Sequence, residues 1–138
     1  MSGIETVNGI IAAWKSGDND ALLEHLCEDV VYHFHVGSRP LRGRDAVRRF
    51  LERFGAGQTQ IRWEIMHWAQ AGDRLFVEGI DDYVAADGRR IRLPYAGVFE
   101  FRDGRVAGWR DYLDGAVVAA ARAGEPNPEW VDEIMQST

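Results

Sequence analysis

From residue 60 to residue 114 the apolar side chains recur at every second position, and this switch of period constrains the fold more than anything else in the chain. A period of two puts alternate side chains on opposite faces of an extended strand, so the segment must be sheet with one face turned to a core. QIRWEIMHW, RLFVEGIDDYV, RRIRLPYAGVFEF and VAGWRDYLD are separated by the turn sequences AGD, AADG and RDGR. That arrangement predicts an antiparallel meander of four strands.

Before residue 60 the pattern is mostly helical. Ile4, Val7, Ile11 and Trp14 share one helical face, Ser2 and Glu5 have capping-box spacing, and SGD at 16–18 ends the helix. A short second helix is expected in DALLEHL, a β-rich stretch in VVYHFHV (30–36), and a loop in GSRPLRG. Val47, Phe50, Leu51 and Phe54 repeat at the spacing of a third amphipathic helix. After the meander come an Ala-rich helix, GAVVAAARA, and a tail in which Asn127 and Pro128 read as N-cap and first helical position for PEWVDEIM. Helices first and sheet second make an α+β domain spanning 1–138: a curved, mostly antiparallel sheet wrapped around the N-terminal helices, a cone with an apolar pocket.

Composition excludes several classes of function. Sixteen basic against twenty-two acidic residues give a formal charge of −6, a poor match for a phosphate backbone, so no nucleic acid is expected. No run approaches the roughly 18 apolar residues of a membrane span. Cys27 is the only cysteine and reads as packing at the end of an apolar helix, and MSGIETV lacks a basic head and apolar core, so the chain is read as cytoplasmic. None of the fifteen glycines sits in a phosphate-cradling pattern, and His33 and His35, spaced like a metal pair, lack a third ligand. No metal and no cofactor is expected.

Strand parity then picks out the chemistry. It places Tyr32 and Phe34; Ile61, Trp63, Ile65 and His67; Leu75, Val77, Gly79, Asp81 and Tyr83; Leu93, Tyr95, Gly97 and Phe99; and Trp109, Asp111 and Leu113 on the inward faces. Two carboxylates, Asp81 and Asp111, thus fall among aromatic and aliphatic side chains. Neighbouring acids in a low-polarity pocket do not both ionise easily, so one keeps its proton near neutral pH and the other stays charged. Such a pair is a general acid and a general base in one place, and it needs no cofactor. The opposing reading is that a bulge turns both acids to water, or that they pair with Arg110 or Arg92. His67 reads either as a core histidine or as a group that orients a carboxylate.

The stretches YAGVFEFRDGRVAGWRDYLD and EDVVYHFHVGSRPLRGRDAV, with the three leading helices, resemble the limonene-1,2-epoxide hydrolase branch of the nuclear transport factor 2-like, or SnoaL-like, superfamily. The resemblance covers nearly the whole chain and implies a small hydrophobic ligand and a homodimer formed through the outer face of the sheet. It also implies that the two aspartates of an Asp-Arg-Asp triad match Asp81 and Asp111, and that a water-holding tyrosine matches Tyr32. The triad arginine corresponds to Gly79 and the water-holding asparagine to Phe34, so the acid pair survives without its cation.

Three functions follow. Asp111 and Asp81, in either order of base and acid, with Tyr32 positioning water, would open a hydrophobic epoxide to a diol. The same pair would serve an isomerase, dehydratase or polyketide or terpenoid cyclase, which needs no clamped water. A non-catalytic binding domain would use Phe34, Trp63, His67, Tyr83, Leu93, Tyr95, Trp109 and Leu113 only as pocket walls.

Overall fold

The computed structural model describes residues 2–136. Helix α1, Gly3–Ser16, starts where the Ser2 hydroxyl accepts the Glu5 N–H, and it ends at Gly17, which takes a left-handed φ of 74°. Asp18 then caps α2, Asn19–Glu24, by accepting the Ala21 N–H at 3.0 Å. Strand β1, Leu26–His33, and the two-residue β2, Leu41–Arg42, precede α3, Arg44–Gly55. The predicted meander is β3, Thr59–Ala71; β4, Arg74–Val84; β5, Arg90–Arg102; and β6, Arg105–Tyr112. The RDGR turn is made by Asp103 and Gly104, both at positive φ, which matches the twist of an antiparallel hairpin. Helices α4, Gly115–Arg122, and α5, Glu129–Met135, follow.

The six strands run in the order β2-β1-β6-β5-β4-β3. The antiparallel meander is extended by β1, which lies parallel to β6 with Tyr32 opposite Trp109. That pairing joins residues far apart in sequence and carries no local signal. Register shifts interrupt β3–β4, β5–β6 and β1–β6, and such bulges bend a sheet rather than let it lie flat. The concave face receives α1, α2 and α3, so Val7, Ile10, Leu22, Val47 and Leu51 pack with Leu75, Phe99 and Trp109 in the principal core. Helix α5 places Val131 and Met135 with Ile80 and Ile91, and Arg92 pairs with Asp132 of the same helix.

Two local expectations are corrected. Cys27 lies in β1, not in a helix, and its buried thiol donates to the Arg102 carbonyl. Pro128 rather than Asn127 occupies the N-cap of α5, because the Asn127 amide donates instead to the Arg92 carbonyl and ties the tail to β5. Helix α4, which walls the pocket, is held at its start by Asp114, whose carboxylate accepts the Ala116 N–H at 3.0 Å. Asp114→Ala is expected to cost about 1 kcal/mol, measured as a lower midpoint in urea unfolding.

Candidate active site

Between the concave face of the sheet and α1–α4 lies a cavity of about 390 Å³. Its volume suits a small organic molecule. The sheet contributes Tyr32, Trp63, Asp81, Tyr83, Leu93, Tyr95, Trp109 and Asp111 to its wall, and Phe34 and Leu113, just beyond their strands, also line it. Alternation does this directly. Trp109 and Asp111 point into the cone, while Arg110 and Tyr112 point out, where Arg110 pairs with Glu100. Neither acid is paired with Arg110 or Arg92: the former is committed to Glu100 and the latter to Asp132.

His67 is the exception. A bulge between Ile65 and His67 adds a residue to β3, so Ile65 pairs with Gly79 but His67 pairs with Glu78. The inserted residue reverses the facing of everything after it, and His67 is exposed on the outer side instead of lining the cavity.

Sequence parity also missed the helical half of the wall. Trp14 of α1, Leu22 of α2, Phe50, Leu51 and Phe54 of α3, and Val118, Ala119 and Arg122 of α4 complete it, with His35 and Ile91. Periodicity marked several of these as apolar but could not say which bordered a space rather than packed solid. The aromatic rings form a continuous lining: Tyr32 stacks on Trp109 at 4.0 Å, Trp63 on Trp109 at 6.0 Å, and Phe34 on Phe50 at 4.5 Å. At the α4 side Arg122 brings a positive charge to the wall near Tyr83.

The two acids differ in their surroundings. Burial, reinforced by the charge of adjacent Asp82, raises the Asp81 carboxyl to about 6. Asp82 itself faces away and is held in a two-pronged ion pair by Arg90. Asp111 is pushed higher still, well above the ordinary carboxylate range, by burial and then by the charge of Asp81. One opposing influence acts on it, the Trp109 indole N–H donated to Oδ1 at 3.3 Å. The first acid to ionise is therefore Asp81, and its charge then makes ionising Asp111 harder. Both acids are thus biased towards their neutral forms, and a charge on Asp81 adds to the bias on Asp111. Buried Tyr32 and Tyr95 keep their protons for the same reasons: burial first, then the nearby acids. The Trp63 indole N–H donates to the Tyr95 hydroxyl oxygen at 2.5 Å. No group of three metal-ligating side chains occurs among the described residues, nor is any described helix long and apolar enough to cross a membrane.

The family pattern described as a SnoaL-like domain matches residues 7–109. The chain belongs to the SnoaL-like family. This SnoaL-like chain is 30% identical over 108 residues to epoxide hydrolase EphG of Mycobacterium tuberculosis, covering 78% of this chain and 70% of that protein. Its fold matches that of an LEH-like epoxide hydrolase from M. tuberculosis with a TM-score of 0.76 and 25% identity, covering 97% and 96% of the two chains. It also matches a putative polyketide cyclase from Xanthomonas campestris pv. campestris with a TM-score of 0.71 and 25% identity, covering 86% and 95%. The SnoaL-like family that YAGVFEFRDGRVAGWRDYLD, EDVVYHFHVGSRPLRGRDAV and the three leading helices resemble is the family found.

Proposed function

We propose that this SnoaL-like domain is a cofactor-independent acid–base enzyme that opens a small hydrophobic epoxide by adding water. The observation that carries the reading is two buried acids, Asp81 and Asp111, both pushed upward in one aromatic-lined cavity; in this reading Asp81 is the charged partner and Asp111 the neutral one. Asp81 takes a proton from water, and the water oxygen attacks an epoxide carbon. The carbon–oxygen bond of the ring breaks, and its oxygen takes the proton of Asp111. The product is a diol, with Asp81 protonated and Asp111 ionised. Returning the proton from Asp81 to Asp111 resets the site and runs downhill, because Asp111 holds a proton more tightly. Tyr32, fixed by its stack on Trp109, is the group placed to orient the water or the substrate oxygen.

A second reading uses the same residues for isomerisation, dehydration or cyclisation, and the side chains present at two positions favour it. By the family resemblance, Gly79 and Phe34 stand where the epoxide hydrolases place an arginine and an asparagine, and proton shuttling between carbon and oxygen needs neither. Here Asp81 removes a proton beside a carbonyl while Asp111 donates to the enolate oxygen. Turnover in ¹⁸O-labelled water separates the two. Epoxide opening puts one labelled oxygen in the product; shuttling puts none there and exchanges only hydrogen. Ligand binding with no turnover of epoxides or enolisable ketones would leave the domain a binding module.

We further propose a homodimer joined through the outer face of the sheet, where Phe76 and Tyr112 remain 43% and 45% exposed. Its lone thiol, satisfied by a backbone carbonyl, needs no oxidising compartment, and we place the protein in the cytoplasm.

A further inference from the structure

We propose that Tyr95 is the third chemical group of this site, a neutral donor to the reacting oxygen of the substrate, occupying the space that an arginine at position 79 would need. The inference deepens the acid–base reading above and rests on it for the proton transfers, but its geometry is independent of them.

Register places the three groups on one diagonal of the concave face. Asp81 of β4 pairs with Leu93, Tyr95 of β5 pairs with Gly79, and Asp111 of β6 pairs with Gly97. Tyr95 thus lies between the acids, one strand from each. The two glycines leave room for this. A Cβ at Gly79 would lie 2.6 Å from the Cε1, Cζ and hydroxyl oxygen of Tyr95, so the phenol fills the volume any side chain there would enter. A Cβ at Gly97 would lie 3.2 Å from Asp111 Oδ1 and 3.4 Å from Tyr95 Cε2, so carboxyl and phenol ring lean over the same glycine. Position 79 can carry a side chain or the phenol can lie there, not both.

The direction of the hydroxyl proton follows from its partner. An indole N–H only donates, so its 2.5 Å contact makes the Tyr95 oxygen an acceptor from Trp63 and leaves the phenol proton to be given elsewhere. Burial and the neighbouring acids keep that proton in place through the working pH range. With the carboxyl of Asp111, Tyr95 offers a second donor in the same aromatic-lined cavity, and a substrate oxygen with two lone pairs can accept from both. An arginine would instead bring a full charge and attract a carboxylate. The ligand class that fits is therefore a neutral molecule with an epoxide, carbonyl or phenolic oxygen on an apolar body, and not a carboxylic acid.

The test uses Tyr95→Phe, which keeps the ring over Gly79 and removes only the hydroxyl, with 4-nitrophenol as the probe and absorbance titration as the readout. Wild type should bind 4-nitrophenol and Tyr95→Phe should bind it about tenfold more weakly, as expected for one hydrogen bond to a charged or strongly polarised oxygen. Equal affinities, or no binding by wild type, overturn the proposal. Thermal unfolding of a Gly79 and Tyr95 cycle gives a readout free of any ligand. Gly79→Ala should lower the unfolding temperature by roughly 5 °C in wild type and by far less in a Tyr95→Leu background; additive effects overturn the shared volume. A wild type that binds the probe through Tyr95 yet turns over neither epoxide nor ketone would sink the acid–base reading and leave this one standing.

Discussion

Asp81→Asn is expected to lower turnover about 10³-fold, the middle of the range for removing a positioned general base. The pH dependence carries more information than the loss itself. In wild type kcat/KM should rise as Asp81 sheds its proton near 6, then fall at higher pH as Asp111 finally ionises and can no longer donate. Asp81→Asn should lose the rising limb, because the group that titrates there is gone. Asp111→Asn should be equally damaging, since an amide can hydrogen-bond to the leaving oxygen but cannot give it a proton. A full pH profile of each variant, with unfolding curves to show that both remain folded, decides the matter. Retention of the rising limb in Asp81→Asn would assign it to another group.

The same carboxyl should weigh on stability in a defined pH window. At a pH well below 3.8 the Asp81 side chain is protonated whether the chain is folded or not. As pH rises from there to about 6, the unfolded chain releases the proton while the folded chain retains it. Stability contributed by the neutral acid is therefore lost through that interval and is gone above the folded value. The raised value corresponds to roughly 3 kcal/mol. Asp111 acts in the same direction and continues to do so at higher pH. Exposed pairs such as Arg62–Glu64 work the other way, but they are common to wild type and variant and cancel. Asp81→Asn should thus gain roughly 3 kcal/mol on wild type between pH 3 and pH 7, measured by urea unfolding at the two values. A constant difference would mean that the site does not penalise the charge.

Much of this site was legible because strands alternate strictly where they are regular. GWRDYLD put Trp109, Asp111 and Leu113 on one face, and β4 and β5 did the same for Asp81, Tyr83, Leu93 and Tyr95. His67 was lost to a single inserted residue, which leaves no mark in the composition of QIRWEIMHW yet reverses every side chain beyond it. The helical wall could be recognised only as apolar. That Phe50, Leu51, Phe54 and Arg122 border the cavity while Val47 packs into the core depends on how helices seat on a bent sheet, and no local period records that. The parallel contact of β1 with β6 was hidden for a related reason, since it joins segments about eighty residues apart and forms only once the sheet has curled. Gly79 corresponds, by resemblance, to the place of a missing arginine, but nothing in the sequence indicates that a tyrosine from the next strand fills the gap.

Everything in this account depends on the acids being unequal at neutral pH. Labelling aspartate carboxyl carbons with ¹³C and following Asp81 and Asp111 by NMR from pH 3 to 9, with the two Asn variants for assignment, measures this directly. The account predicts one resonance titrating near 6 that is absent from Asp81→Asn, and one still protonated at pH 7 that is absent from Asp111→Asn. Two resonances that both titrate close to 4 would contradict it.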